Sequence, residues 1–237
     1  MFDKLLLVLA VGLGQSTGSA PSPESPPPSP PSSPPSEPPF QCTDLTLQTQ
    51  GWQMISFYCA GTYIEYRTLN DIMKGVPFEA DDQILLRHHM DGLVFATFTG
   101  KRWVGSLVKR GISQHYGYKV LYNGPVDAVI NQTGYPGIPG GYVEKPVLKK
   151  GWNYIGHATC LSYNLNFDII AEKGQFSIDD RFRTRSLRTL ITANYDGSSF
   201  QGNLEELESG VGYEVFVAQD VTFKYNVNYV SDDWRCR

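Results

Sequence analysis

The chain has 237 residues, a formal net charge of -4 and 41% hydrophobic residues, with four cysteines, four tryptophans and fourteen tyrosines. The charge is mild and no basic tract could neutralise a row of phosphates, which excludes a nucleic-acid partner. No segment is apolar over the roughly 20 residues that a membrane-spanning helix needs.

Residues 1–20 read as a secretory signal peptide. Lys4 gives the basic start, Leu5–Leu13 a short apolar run, and "GQSTGSA" small residues for cleavage. Residues 21–39, "PSPESPPPSPPSSPPSEPP", contain eleven prolines in nineteen positions. Most backbone donors are missing there, so the expectation is a polyproline II stalk, with Ser-Pro steps suited to O-linked sugar.

The composition becomes globular from Phe40. "GWQMIS" (51–56) opens the first strand, with Gly51 permitting a bend and Trp52 expected to plug one end of the core. "TLNDIMKG" (68–75) reads as a short helix ending at a glycine. "TGK" (99–101) sits between aromatic-rich alternations and reads as a hairpin turn. Gly105 marks a bulge or sharp bend, and Gly117-Tyr118 opens a strand through "YKVLY" (118–122). Residues 131–146 follow as a Gly/Pro linker carrying the glycosylation sequon at Asn131.

The second half repeats these signals. Gly151, Trp152 and Ile155 stand at an offset of 100 from Gly51, Trp52 and Ile55, and Cys160 at 101 from Cys59. At an offset of 97, Asp71-Ile72 maps to Asp168-Ile169, Asp82 to Asp179, and Leu93 to Leu190. "ATFTGKRWVGSL" (96–107) then lies over "ANYDGSSFQGNL" (193–204), so Gly105 maps to Gly202. "YGYKV" (116–120) answers "VGYEV" (211–215), bringing Gly117 over Gly212. Offset changes fall between blocks of agreement, where surface loops tolerate length change. "NFDIIAEKG" (166–174) is the expected helix of this half, and "VTFKYNV" (221–227) a further strand. The expectation is a mainly β protein with one short helix per unit: two homologous small domains from an internal duplication, residues 40–130 and 147–237.

The order "GW(N/Q)-x-I-(S/G)", a short Asp-Ile segment, a "W-x-G-x-L" hairpin and a closing "G-Y-x-V" resembles tandem β-repeats of extracellular proteins in bacteria and microalgae. The chain departs from that pattern at Gln53, at Phe200 in a tryptophan place, and in the turn "VKRGISQHYG" (108–117). The resemblance implies a secreted surface or matrix protein and carries no catalytic residues with it.

In an exported chain, Cys42, Cys59, Cys160 and Cys236 are expected to form two disulfides. The favoured pairing is Cys59–Cys160 with Cys42–Cys236, which needs the units to pack symmetrically; the alternative, Cys42–Cys59 with Cys160–Cys236, staples each unit separately.

Chemical motifs are few. The His88-His89 pair points to opposite faces of a strand and cannot easily chelate one ion, and His115 and His157 have no ligand-spaced partners. Asp81-Asp82, Asp179-Asp180 and Asp232-Asp233 fit no calcium loop, and the first two pairs read as turn residues. No metal or cofactor is expected, and no serine-nucleophile signature occurs. Tyr118, Tyr122, Tyr195 and Tyr213 are the candidates for stacking on sugar rings. The functional expectation is a non-catalytic secreted adhesion, cell-wall or extracellular-matrix protein on a proline-rich stalk, contacting extracellular polysaccharide or matrix and surface proteins. The alternatives are a carbohydrate-binding module and an extracellular hydrolase.

Overall fold

A computed structural model describes residues 44–59, 68–88, 90–132, 146–157, 161–186 and 189–225. Residues 1–39, expected to be signal and stalk, residues 133–145, His89, Asp232-Asp233, Cys42, Cys160 and Cys236 lie outside the described residues. The first half contains β1 (Leu45–Leu47), β2 (Gly51–Ser56), α1 (Leu69–Ile72), β3 (Gln83–His88), β4 (Gly92–Phe98), β5 (Trp103–Val104), α2 (Ser106–Arg110), β6 (Gly117–Tyr122) and β7 (Ala128–Ile130). The second contains β8 (Val147–Leu148), β9 (Gly151–Gly156), β10 (Tyr163–Asn164), β11 (Ile169–Lys173), β12 (Arg181–Ser186), β13 (Thr189–Tyr195), β14 (Phe200–Gly202), β15 (Glu206–Leu207), β16 (Gly212–Val217) and β17 (Val221–Tyr225). The fold is mainly β, as the alternating runs predict.

Two five-stranded sheets dominate. Their orders, β2-β6-β3-β4-β5 and β9-β16-β12-β13-β14, place the strands in the same sequence, and every pairing is antiparallel. Each half then adds smaller pairings: β1 with β7 in the first, β8-β17-β11 and β10 with β15 in the second. Alternation builds one core per half. In β6, Tyr118, Val120 and Tyr122 face a cluster with Leu47, Ile84 and Leu86; in β16, Tyr213, Val215 and Val217 face one with Leu148, Phe182 and Phe223. Burying each large apolar side chain stabilises the fold by roughly 1.5–3 kcal/mol relative to exposure.

The turn signals match the structure. Thr99 N–H donates to the Arg102 carbonyl at 3.0 Å and Asp196 N–H to the Ser199 carbonyl at 3.0 Å, closing the two hairpins. Gly105 (φ 133°) and Gly202 (φ 149°) press their backbones onto the neighbouring strand. A β-carbon there would stand 2.4 Å from the Phe95 carbonyl oxygen or 2.1 Å from that of Thr192, so only glycine fits.

Four expectations are corrected. The helices are not distributed one per half: α1 and α2 both lie in the first, and "IIAEK" is strand β11. Its Ile169 and Ala171 alternate toward the second core and its ladder runs along β17 from Ile169–Tyr225, so tertiary pairing decides a segment with weak local preference. Trp52 and Trp152 do not plug the cores. Ile55 faces the first core, so the alternation of β2 turns Trp52 to the opposite side of the sheet; in β9, Ile155 and Trp152 divide the same way. The aspartate register moves by one residue. Asp81 and Asp179 share a left-handed backbone (φ 73° and 72°) and donate to the Phe98 and Tyr195 carbonyls, so Asp82 answers Asp180. Finally, Tyr118, Tyr122 and Tyr213 are buried core residues.

Candidate functional site

The residues singled out for chemistry converge on packing and turn closure. Asp82 is fully buried; its carboxylate accepts from Glu79 N–H (2.9 Å), Asn123 N–H (2.9 Å) and Asn123 Nδ2 (2.8 Å). Asp180, also fully buried, accepts from Ser177 N–H (2.9 Å) and Ala218 N–H (2.7 Å). Each carboxylate ties the turn before one strand to the end of another, the turn role expected of these pairs. Among the described residues no group of three or more His, Cys, Asp or Glu side chains is placed to hold a metal ion.

The tyrosines expected to stack on sugars are committed elsewhere. Tyr118 Oη accepts from Ser113 N–H at 2.8 Å, and Tyr213 Oη accepts from Glu208 N–H at 2.6 Å; burial raises both phenols above their ordinary pKa. Tyr122 Oη donates to the Val126 carbonyl at 2.8 Å. Tyr195 is half-buried and packs on Phe176 and Phe200, with ring centres 6.0 and 5.1 Å away. A ring whose face is covered by its own core offers no face to a sugar, so burial removes Tyr118, Tyr122 and Tyr213 as stacking residues.

His88 is buried and packs edge-on against Tyr116 at 5.2 Å, with Nδ1 accepting from Asp91 N–H at 3.2 Å. His157 is fully buried beside Tyr163 and Tyr225; burial pushes its pKa down to about 4, partly opposed by the hydrogen bond to the Leu161 carbonyl. Cys59 is buried and disulfide-bonded, and its N–H donates to Gln132 Oε1 at 3.3 Å. Asn131 is exposed at the end of β7.

The most unusual electrostatics lie where the two large sheets meet. Glu214 on β16 is buried, yet it pairs with Lys119 of β6 at 3.1 Å and with the Arg183 guanidinium of β12. Burial alone would raise its pKa, but Lys119 and Arg183 together hold the carboxyl below the ordinary range. Tyr154, hydrogen-bonded to Glu214, is pushed up to about 12 by burial and by that carboxylate. Lys119 sits 5.6 Å from the Trp52 ring centre and Arg183 4.0 Å from that of Trp152. The two tryptophans thus carry the cations that serve one carboxylate.

Lys119 and Glu214 were missed by motif reasoning. Their signal was present in the alignment of "YGYKV" with "VGYEV", where lysine stands over glutamate. Asn70 and Asn166 were missed as well. Their side-chain carbonyls accept from Trp103 N–H (2.8 Å) and Phe200 N–H (2.6 Å), anchoring the start of β5 and β14 in the same manner.

Beside this contact runs an open groove of about 600 Å³ between residues 44–55 and 184–213, lined by Asp44, Arg185, Asn203, Glu205, Glu206 and Glu208 among others. Its rim can accept hydrogen bonds from hydroxyl or ammonium groups. Among the described residues, no helix is long and apolar enough to cross a membrane. No protein-family model matches the chain, and neither does any curated protein or any solved structure.

Proposed function

We propose that the protein is a non-catalytic, secreted adhesion or matrix module: two copies of one β unit, exported by a signal peptide and displayed on a proline-rich stalk. One observation carries this reading. The side chains that the sequence singles out for chemistry are engaged in holding the fold: Asp82 and Asp180 as turn anchors, Tyr118 and Tyr213 as caps on backbone amides, and His157 as a neutral core residue. An exposed Asn131 in its sequon supports display on an exported surface. The proposed partners are extracellular polysaccharide or matrix and surface proteins.

The groove favours a second reading, a polysaccharide-binding module that uses carboxylates in place of tyrosine faces. A hydrolase is the third, since paired carboxylates are the machinery of glycoside cleavage. Mature protein incubated with insoluble wall polysaccharide separates the three. Retention without release of reducing ends, unaffected by Glu206→Gln and Glu208→Gln, supports the adhesive reading. Retention lost in those variants transfers the assignment to the groove. Release of reducing ends that disappears in a folded carboxylate variant overturns the non-catalytic reading.

A further inference from the structure

We infer that Lys119 and Glu214 are the pair-selecting contact of a twofold-like interface, so that the outer face of the first sheet fits the second sheet and neither fits a copy of itself. The inference rests on reading the halves as copies of one unit.

Four contacts across the sheets come in exchangeable pairs. A β-carbon on Gly117 would stand 2.4 Å from the Ile155 carbonyl oxygen, and one on Gly212 would stand 2.4 Å from that of Ile55. Ser56 N–H donates to the Gly210 carbonyl at 2.8 Å, and Gly156 N–H donates to the His115 carbonyl at 3.0 Å. Replacing each residue by its counterpart in the other half turns the first member of each pair into the second. Ser56 and Gly156, themselves counterparts, approach each other: a β-carbon on Gly156 would lie 2.4 Å from Ser56 Oγ. These are the relations that a twofold axis generates, and the axis runs beside that approach.

Lys119 follows Gly117 by two residues as Glu214 follows Gly212, so they too are counterparts, and they touch each other. In an interface between identical units a residue so close to the axis meets its own copy. Here that would be two ammonium groups or two carboxylates in a partly dehydrated contact, with side-chain exposures of 28% for Lys119 and 8% for Glu214. The opposite charges convert this repulsion into attraction, and Arg183 supplies the second cation that the buried carboxylate requires. The partner of each sheet is therefore the other sheet. A second copy of the chain can enter only by setting its first half on a second half.

The test is a set of full-chain variants, Lys119→Met, Glu214→Gln, their combination, and Lys119→Glu, with melting temperatures taken at low and high salt. The combined neutral variant should lose clearly less than the sum of its parents. Lys119→Glu should melt about 5 °C or more below Lys119→Met at low salt, and part of that gap should close at high salt. Additive losses in the neutral set, or a Lys119→Glu protein no less stable than Lys119→Met, would overturn the inference. If Lys119→Glu does not fold, the neutral set still decides. The cycle reads only the pairing of the sheets, so discovery of polysaccharide binding or cleavage would leave its result untouched.

Discussion

The carbonyl oxygen of Ile55 stands 2.4 Å from where a side chain on Gly212 would begin, and Gly117 meets Ile155 in the same way. Neither Gly117 nor Gly212 has a positive φ, so what these positions require is space. Gly117→Ala and Gly212→Ala should each destabilise by about 1–3 kcal/mol, because a methyl group must push two packed backbones apart. Urea unfolding of the two variants checks this. A loss below about 0.5 kcal/mol in either would show that the sheets can separate freely there.

The buried aspartates should behave as a matched pair. Asp82→Asn and Asp180→Asn place an amide where a carboxylate accepts backbone N–H groups, turning one acceptor into a donor that faces donors. Each should lose about 2–3 kcal/mol at neutral pH. Equilibrium unfolding measures both. A neutral outcome at either would contradict the anchoring role.

His157 gives a pH signature. Its folded pKa of about 4 lies below the unfolded value, so the unfolded chain binds the proton first as pH falls. The stabilisation from keeping this ring neutral is complete above about pH 6.5 and is lost progressively toward pH 4, on the order of 3 kcal/mol. Glu214, with its depressed pKa, adds a loss that begins as pH falls through the ordinary carboxylate value and continues below it, so the histidine dominates above about pH 4.5. His157→Phe should flatten the stability profile between pH 6.5 and 4.5. An unchanged slope would rule out the histidine as its source.

The disulfides should be local. Cys59 donates its N–H to Gln132, two residues beyond Ile130, and Ile130 pairs with Leu45. Cys42 is tethered only three residues before Leu45, a reach of about 10 Å. Peptide mapping without reduction should give Cys42–Cys59 and Cys160–Cys236. A Cys59–Cys160 peptide would restore the symmetric scheme.

Much of the fold was legible because period-two alternation and glycine positions are local. "YKVLY" and the matching residues after Gly212 formed strands in both halves, and Gly105 and Gly202 sat at close backbone approaches. What alternation cannot tell is which face becomes core. The same rule that separated Trp52 from Ile55 could not show that Ile55 faces inward, and it left the buried Tyr118 and Tyr213 looking like surface rings. "IIAEK" depended on β17, about 50 residues away in sequence, and so escaped a helix-or-strand decision made locally. The contact of Lys119 with Glu214 is more distant still, joining two sheets, and only the alignment of "YGYKV" with "VGYEV" hinted at it. The aspartate register slipped because neighbouring acids in "DD" offer two alignments, which only backbone conformation resolves.

The most direct test of the paired arrangement is site-resolved amide hydrogen exchange at Ser56 and Gly156. Each amide is held across the sheets, one by Gly210 and the other by His115. Both should be strongly protected, should open together when the inter-sheet contact is weakened by Lys119→Glu, and should show comparable protection. Rapid exchange at either amide, or protection that persists at one after the other is lost, would contradict the twofold-like joining of the halves.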